Sequence, residues 1–138
     1  MADRKTFHLE IISPDRKFYE NDAWMIEFDT TEGQIGVYAD HVPMTSILVP
    51  GVLTIYEDEE VKSAALLDGF VEILQDRIVI LSQACEWPEE IDVHRAEEAK
   101  IRAERRLASP DANINLARAE LALRKSLVRI RVAGDFSK

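Results

Sequence analysis

The sequence predicts a strand-rich unit of sandwich or barrel type followed by an antiparallel pair of helices, and three observations carry that prediction. Short apolar segments separated by turn residues fill residues 1–87. Beyond Trp87-Pro88 the apolar spacing changes from two residues to three and four. Charge changes sign at the same place: residues 1–91 hold 6 Lys/Arg against 19 Asp/Glu, a net −13, whereas residues 92–138 hold 11 against 7, a net +4. Two parts with different partners are expected, residues 1–87 and residues 88–138, the second drawn to something anionic.

The strands follow in order. Phe7, Leu9 and Ile11 alternate with His8 and Glu10, and Trp24, Ile26 and Phe28 alternate with Met25, Glu27 and Asp29. A period of two places one set on each face of a pleated strand. Val52 to Tyr56, Ala64 to Leu67 and Ile78 to Leu81 are more continuous apolar runs, as strands covered on both faces require. Turn residues punctuate them at Ser13-Pro14-Asp15, Glu32-Gly33, Pro50-Gly51, Glu57 to Glu60, Asp68-Gly69 and Gln75-Asp76.

Pro88 cannot donate to a ladder and marks the boundary. Asp92 suits an N-cap, because its carboxylate can accept from the free amides of a first helical turn. Ala96, Ala99, Ala103 and Leu107 then recur at helical spacing until Ser109-Pro110-Asp111 ends the helix. A second helix is expected from Asn113, with Leu116, Ala119, Leu123, Leu127 and Ile130 as its stripe and Ala117, Leu121 and Val128 beside it. Small residues on the first helix facing larger ones on the second predict close antiparallel packing. Two short helices rich in alanine bury little surface alone, so the hairpin must depend on docking, a ligand or a partner.

Composition narrows the function. No apolar run approaches the roughly 18 residues that cross a bilayer. Met1 to Lys5 is charged and carries no apolar signal region. The single cysteine, Cys85, excludes an internal disulfide framework and follows a buried strand, as an ordinary buried thiol does. His8, His41 and His94 show no metal-ligand spacing, and no phosphate-cradling glycine loop or nucleophile elbow is present. The pattern is that of a binding and regulatory chain, not of an enzyme.

One constellation stands out. Arg95 and Arg102 share a face of the first helix, and Lys125 and Arg129 share a face of the second. An antiparallel turn near Pro110 sets Asp92 near Arg129 and Arg95 near Lys125, so four cations and one acid converge at the open end of the hairpin. Guanidinium forks match phosphate oxygens, which makes this an anion site in one reading. The other reading is a solvated face softened by Asp92 and Glu86.

Two segments carry a family resemblance. Glu32-Gly33-x-x-Gly36 leading to His41-x-Pro43, with Pro50-Gly51 after it, resembles the N-terminal signature of the epsilon subunit of bacterial F-type rotary ATP synthases. Asp92-x-x-Arg95-Ala96, and the Arg-Ala-Glu-Leu-Ala-Leu run that ends at Leu123, resemble that family's C-terminal hairpin. The resemblance runs from about Phe7 to Val132. It implies a β-sandwich of about ten strands plus two helices, seated on the central stalk between the gamma subunit and the c-ring of a proton- or sodium-translocating complex. Residues Glu32, Gly33, His41 and Pro43 are the implied partner contacts, at the cytoplasmic face of the bacterial membrane. The hairpin is implied to fold onto the sandwich or to extend toward the catalytic alpha/beta head and block ATP hydrolysis. ATP, bound without hydrolysis or a required metal, is the implied ligand of the folded hairpin. The matching positions are Glu86, Ile91, Asp92, Arg95, Ala96, Arg102 and Arg129, with Lys125 standing where ATP-binding members have arginine. Asp40 replaces a common glycine of the N-terminal signature. A nucleic-acid-binding helical hairpin is the alternative function; the acidic first part and the lack of aromatic residues within 92–131 weigh against it.

Overall fold

The computed structural model describes residues 4–137, with side chains as far as residue 135. Ten strands come first: β1 (Phe7–Ser13), β2 (Arg16–Ala23), β3 (Met25–Thr30), β4 (Gly33–Tyr38), β5 (Met44–Leu48), β6 (Gly51–Tyr56), β7 (Val61–Leu66), β8 (Gly69–Ile73), β9 (Arg77–Leu81) and the two-residue β10 (Cys85–Glu86). A single 3-10 turn, Pro88–Glu90, leads into helix α1 (Val93–Ala108) and then α2 (Leu116–Ser137).

Hydrogen bonding links the strands in the order β10-β7-β6-β3-β5-β8-β9-β1-β2, with β4 paired to β3. Every pairing is antiparallel except β1 with β9. This path folds over into the sandwich, whose layers meet on the alternating residues. Leu9, Ile11, Ile26, Phe28, Val37, Leu53, Ile55, Val71 and Ile80 are fully buried. The period-two reading holds along β1 and β3, whereas Trp24, expected in line with Ile26 and Phe28, precedes β3 and is half-buried. No buried side-chain nitrogen or oxygen among the described residues lacks a partner. Among the same residues no helix is long and apolar enough to cross a membrane.

Gly69 illustrates why one turn residue is fixed. Its φ is +118°, and a Cβ there would stand 1.9 Å from the Leu81 carbonyl oxygen. Gly33 has a similar φ of +119° in the β3–β4 turn but opens onto free space. Asp40 holds a φ of +65°, the left-handed region that aspartate tolerates better than most side chains, and its carboxylate accepts from Lys5 at 2.5 Å.

The hairpin docks on β6 and β7. Val128 and Val132 of α2 bury against Ala65 and Leu67, outward-facing residues of the sandwich, with Val52, Ala84 and Ile91 at the margin. This is a second, small core separate from that of the sandwich. Arg124 fastens the dock: its Nε donates to the Pro50 carbonyl at 2.7 Å, and its guanidinium lies 3.6 Å from Asp29.

Two expectations for the helices need correction. The second helix begins at Leu116, not Asn113, because Asn115 supplies the cap by accepting from the Arg118 amide at 3.1 Å. Asp111 meanwhile turns back to accept from the Asn113 amide, which holds residues 111–113 in a turn. The buried face of α2 follows the expected stripe only in part: Ala119 in it and Val128 beside it are buried, and Leu123 and Ile130 are half-buried. Leu116, Leu121 and Leu127 are exposed, whereas Ala119, Ser126 and Ala133 are buried. Those three recur every seven residues, as Ala96 and Ala103 do on α1. Small residues therefore recur along the buried face of each helix. Their size lets the helix axes approach closely, while Val128 and Val132 turn toward the sandwich.

Candidate functional site

The junction between sandwich and hairpin is a strapped linker. Phe18 of β2 stacks on Trp87, with ring centroids 4.3 Å apart and planes at 17°. Arg16 makes a bidentate ion pair with Glu90, both N–O distances 2.8 Å. Glu90 also accepts from the Trp87 amide at 2.8 Å, closing the 3-10 turn on itself. The Arg16 guanidinium holds the Glu90 carboxyl below the usual carboxylate range, against the opposing effect of burial. Asp92 then starts α1 as foreseen, accepting from the Arg95 amide at 3.1 Å.

Past this strap lies a cavity of about 410 Å³, lined by Glu86, Glu90, Asp92, Arg95, Ala96, Ala99, Arg102 and Arg129. Its size is within the usual range of small-molecule sites. β10 supplies Glu86, the 3-10 turn Glu90, α1 the residues from Asp92 to Arg102, and α2 Arg129. Three guanidinium groups therefore border one opening. Arg129 is engaged by Glu86, Nε to Oε1 at 2.8 Å and Nη2 to Oε2 at 3.1 Å. Arg95 and Arg102 make no side-chain hydrogen bond or ion pair with any described residue. Two exposed, uncommitted forks beside a third held by a carboxylate can accept a polyanion, and the acids of the same wall can accept from amino groups.

Of the eight positions expected here, six line the cavity. Ile91 packs into the small docking core instead. Lys125, one turn before Arg129, is half-buried and absent from the lining. The register argument fixed its level along the hairpin but not its direction around α2. The neighbouring arginine does not substitute for it, since Arg124 is spent on Pro50 and Asp29. Glu90 and Ala99 were missed as lining residues. The charge of Glu90 beside Asp92 was a signal, but only its pairing with Arg16, 74 residues away, fixes it in the wall.

The four expected partner contacts fall into two groups. Glu32 and Gly33 form the β3–β4 turn, where Thr30 Oγ1 donates to the Gly33 carbonyl at 2.8 Å. His41 and Pro43 lie beyond the other end of β4, and His41 Nδ1 donates to the Val42 carbonyl at 2.8 Å. Strand β4 separates the groups by about 17 Å at roughly 3.3 Å per residue. Around His41 the apolar side chains of Tyr38, Val42 and Met44 are exposed. Cys85 is buried, and burial pushes its thiol up to about 11.

Fold and cleft together define a two-part protein, a β-sandwich bearing a docked helical hairpin with an arginine-bordered cavity where the parts join. Residues 6–88 match the family described as ATP synthase, Delta/Epsilon chain, beta-sandwich domain, and residues 89–134 match ATP synthase, Delta/Epsilon chain, long alpha-helix domain. The chain belongs to this ATP synthase delta/epsilon family. It is 45% identical to the ATP synthase epsilon chain of Caldanaerobacter subterraneus subsp. tengcongensis over 97% of this chain and 98% of that one. It is 43% identical to the ATP synthase epsilon chain of Symbiobacterium thermophilum, covering 97% and 95%. In fold it resembles a chain of the Euglena gracilis mitochondrial ATP synthase OSCP/F1/c-ring assembly, with a TM-score of 0.80, 23% identity and coverage of 93% and 81%. A chain of the Tetrahymena thermophila mitochondrial central stalk and c-ring superposes with a TM-score of 0.60 at 15% identity, covering 98% of each.

Proposed function

We propose that this chain is a non-catalytic regulatory subunit of the ATP synthase central stalk. Residues 1–87 form the fixed fitting between the gamma subunit and the c-ring. Residues 88–138 form a mobile hairpin that restrains ATP hydrolysis by the alpha/beta head. The complex lies at the cytoplasmic face of the bacterial membrane, where it moves protons or sodium ions. ATP binds at the folded hairpin through Arg95, Arg102 and Arg129, is not hydrolysed, and favours the docked state.

The cavity carries this reading. It is composed jointly of α1, α2 and the end of the sandwich, so its ligand binds only while the hairpin is folded. Its wall combines arginines, which match phosphate oxygens, with carboxylates. A ligand that binds one state stabilises it by RT ln(1 + [L]/Kd), about 2.7 kcal/mol at a hundredfold excess over Kd. When ATP falls, the small docking core and the Arg124 and Arg129 contacts are left to hold the hairpin.

Calorimetry with ATP on the wild type and on Arg95→Ala tests the ligand, and amide exchange across residues 92–131 tests the coupling. ATP binding that weakens in the variant, together with ATP-dependent protection of those amides, is expected. An ATP titration without heat and without protection refutes the nucleotide part and leaves a mechanical hairpin.

A further inference from the structure

On the outer face of the sandwich, far along the sequence from the hairpin, β1 and β2 bring together a set of donors of another kind. The antiparallel register sets His8 opposite Asp22 and Glu10 opposite Glu20, so all four side chains project from one face of two paired strands. The ligand atoms of His8, Glu10 and Glu20 lie within 4.8 Å of one another. His8 Nε2 is 2.8 Å from Glu20 Oε2. On the other side of the ring, His8 Nδ1 is 3.2 Å from Asp22 Oδ1.

We propose that His8, Glu10 and Glu20 form a binding site for a divalent transition ion, zinc being the favoured occupant, with Asp22 orienting the imidazole. Histidines that ligate metals almost always donate their second ring N–H to a carboxylate or carbonyl, which fixes the tautomer and leaves the opposite nitrogen free for the ion. Asp22 stands where that carboxylate is needed, and it is independent of the three donors. Without an ion, one ring nitrogen of His8 faces Glu20 and the other faces Asp22. A zinc ion would sit between Nε2 of the imidazole and the two glutamates, with Nδ1 left to Asp22.

The geometry asks for little movement. Donors on one tetrahedral zinc, at about 2.0–2.2 Å from the metal, are roughly 3.3 Å from each other. The donor atoms stand no more than 4.8 Å apart, and the paired strands keep their Cα atoms fixed. One imidazole and two carboxylates with open positions suit zinc better than magnesium or calcium, which prefer oxygen alone. The flanking cations set the limits. Lys17 Nζ lies 2.7 Å from Glu20 Oε1 and 3.8 Å from Glu10, and Arg77 lies 3.9 Å from Glu10. Lys17 competes with the ion for both carboxylates, so removing its charge favours the metal.

The test is zinc titration calorimetry on the full chain at neutral pH, without a polyhistidine tag. One ion bound with micromolar affinity is expected. His8→Gln removes a donor and abolishes binding, while Asp22→Asn weakens it by about tenfold or more through the ring's orientation. Lys17→Gln binds zinc as tightly as the wild type or more so. His94→Gln, which alters the separate His94–Glu98 pair on α1, leaves the isotherm unchanged. Each variant is compared by circular dichroism to confirm that it is folded. A wild type that takes up no zinc at millimolar concentration overturns the proposal. So does a folded His8→Gln protein that binds like the wild type, or loss of binding in His94→Gln.

Discussion

Val132→Ala should release the hairpin while leaving the sandwich intact. Val132 is 2% exposed and packs with Val128 against Ala65 and Leu67, both fully buried. The substitution removes two methyl groups at about 0.8 kcal/mol each, and incomplete closure of the space brings the loss to about 2 kcal/mol. Alanine is the better helix former, so α2 is not weakened as a helix and the loss falls on docking. At 1.4 kcal/mol per factor of ten, the open fraction rises about 25-fold. Undocked helices of this kind are marginal in water, so opening exposes their amides to exchange. Hydrogen exchange followed by mass spectrometry should show peptides from α1 and α2 exchanging about 25-fold faster, with β1 and β9 unchanged. ATP at a hundredfold excess over its Kd contributes about 2.7 kcal/mol and should restore protection. An unchanged hairpin would refute the assignment of Val132 to the dock, and equal acceleration in β1 and β9 would show one cooperative unit.

Two further predictions use the same structure. Gly69→Ala combines a positive φ with a Cβ 1.9 Å from a carbonyl oxygen, and Gly33→Ala has nearly the same φ with nothing within 4 Å. Thermal unfolding should therefore show a loss of about 3 kcal/mol or more for Gly69→Ala, against about 1–2 kcal/mol for Gly33→Ala, and equal losses would refute the steric argument. Glu90 is held below the ordinary carboxylate range by Arg16, so the stability it adds is fully present above that range and is lost as pH falls through its lowered folded value. Urea unfolding of the wild type and Arg16→Gln should differ by about 0.5 kcal/mol near neutral pH, after discounting for solvent screening, and converge in acid; a difference that grows in acid would refute the sign.

Local chemistry made most of the fold legible. Period-two alternation in β1 and β3, the turns at Glu32-Gly33 and Asp68-Gly69, and the Asp92 cap are each decided within a few residues, and the sequence displays them directly. Six of the eight cavity positions followed from helical spacing together with the family resemblance. What sequence could not supply was long-range pairing. Arg16 reaching Glu90, Arg124 reaching Pro50 and His8 opposite Asp22 depend on register and docking that no local pattern encodes.

The exposure of Leu116, Leu121 and Leu127, expected in or beside the stripe of α2, points to how the hairpin is held. Periodicity identifies which residues of a helix could be buried together, but not which face a partner will cover. In the docked state the face toward α1 is alanine and serine, and three leucines remain in solvent. Small residues permit close approach but offer little apolar area, so the helix pair gains little from its own interface. Its stability then rests on Val128 and Val132, on Arg124 at Pro50, and on the Glu86–Arg129 pair. All four attachments join α2 to the sandwich, and the Glu86–Arg129 pair also borders the cavity. On the proposed reading, a ligand bridging Arg95, Arg102 and Arg129 would add the tie between α1 and α2 that the alanine interface lacks, and would act on the hairpin through the cavity.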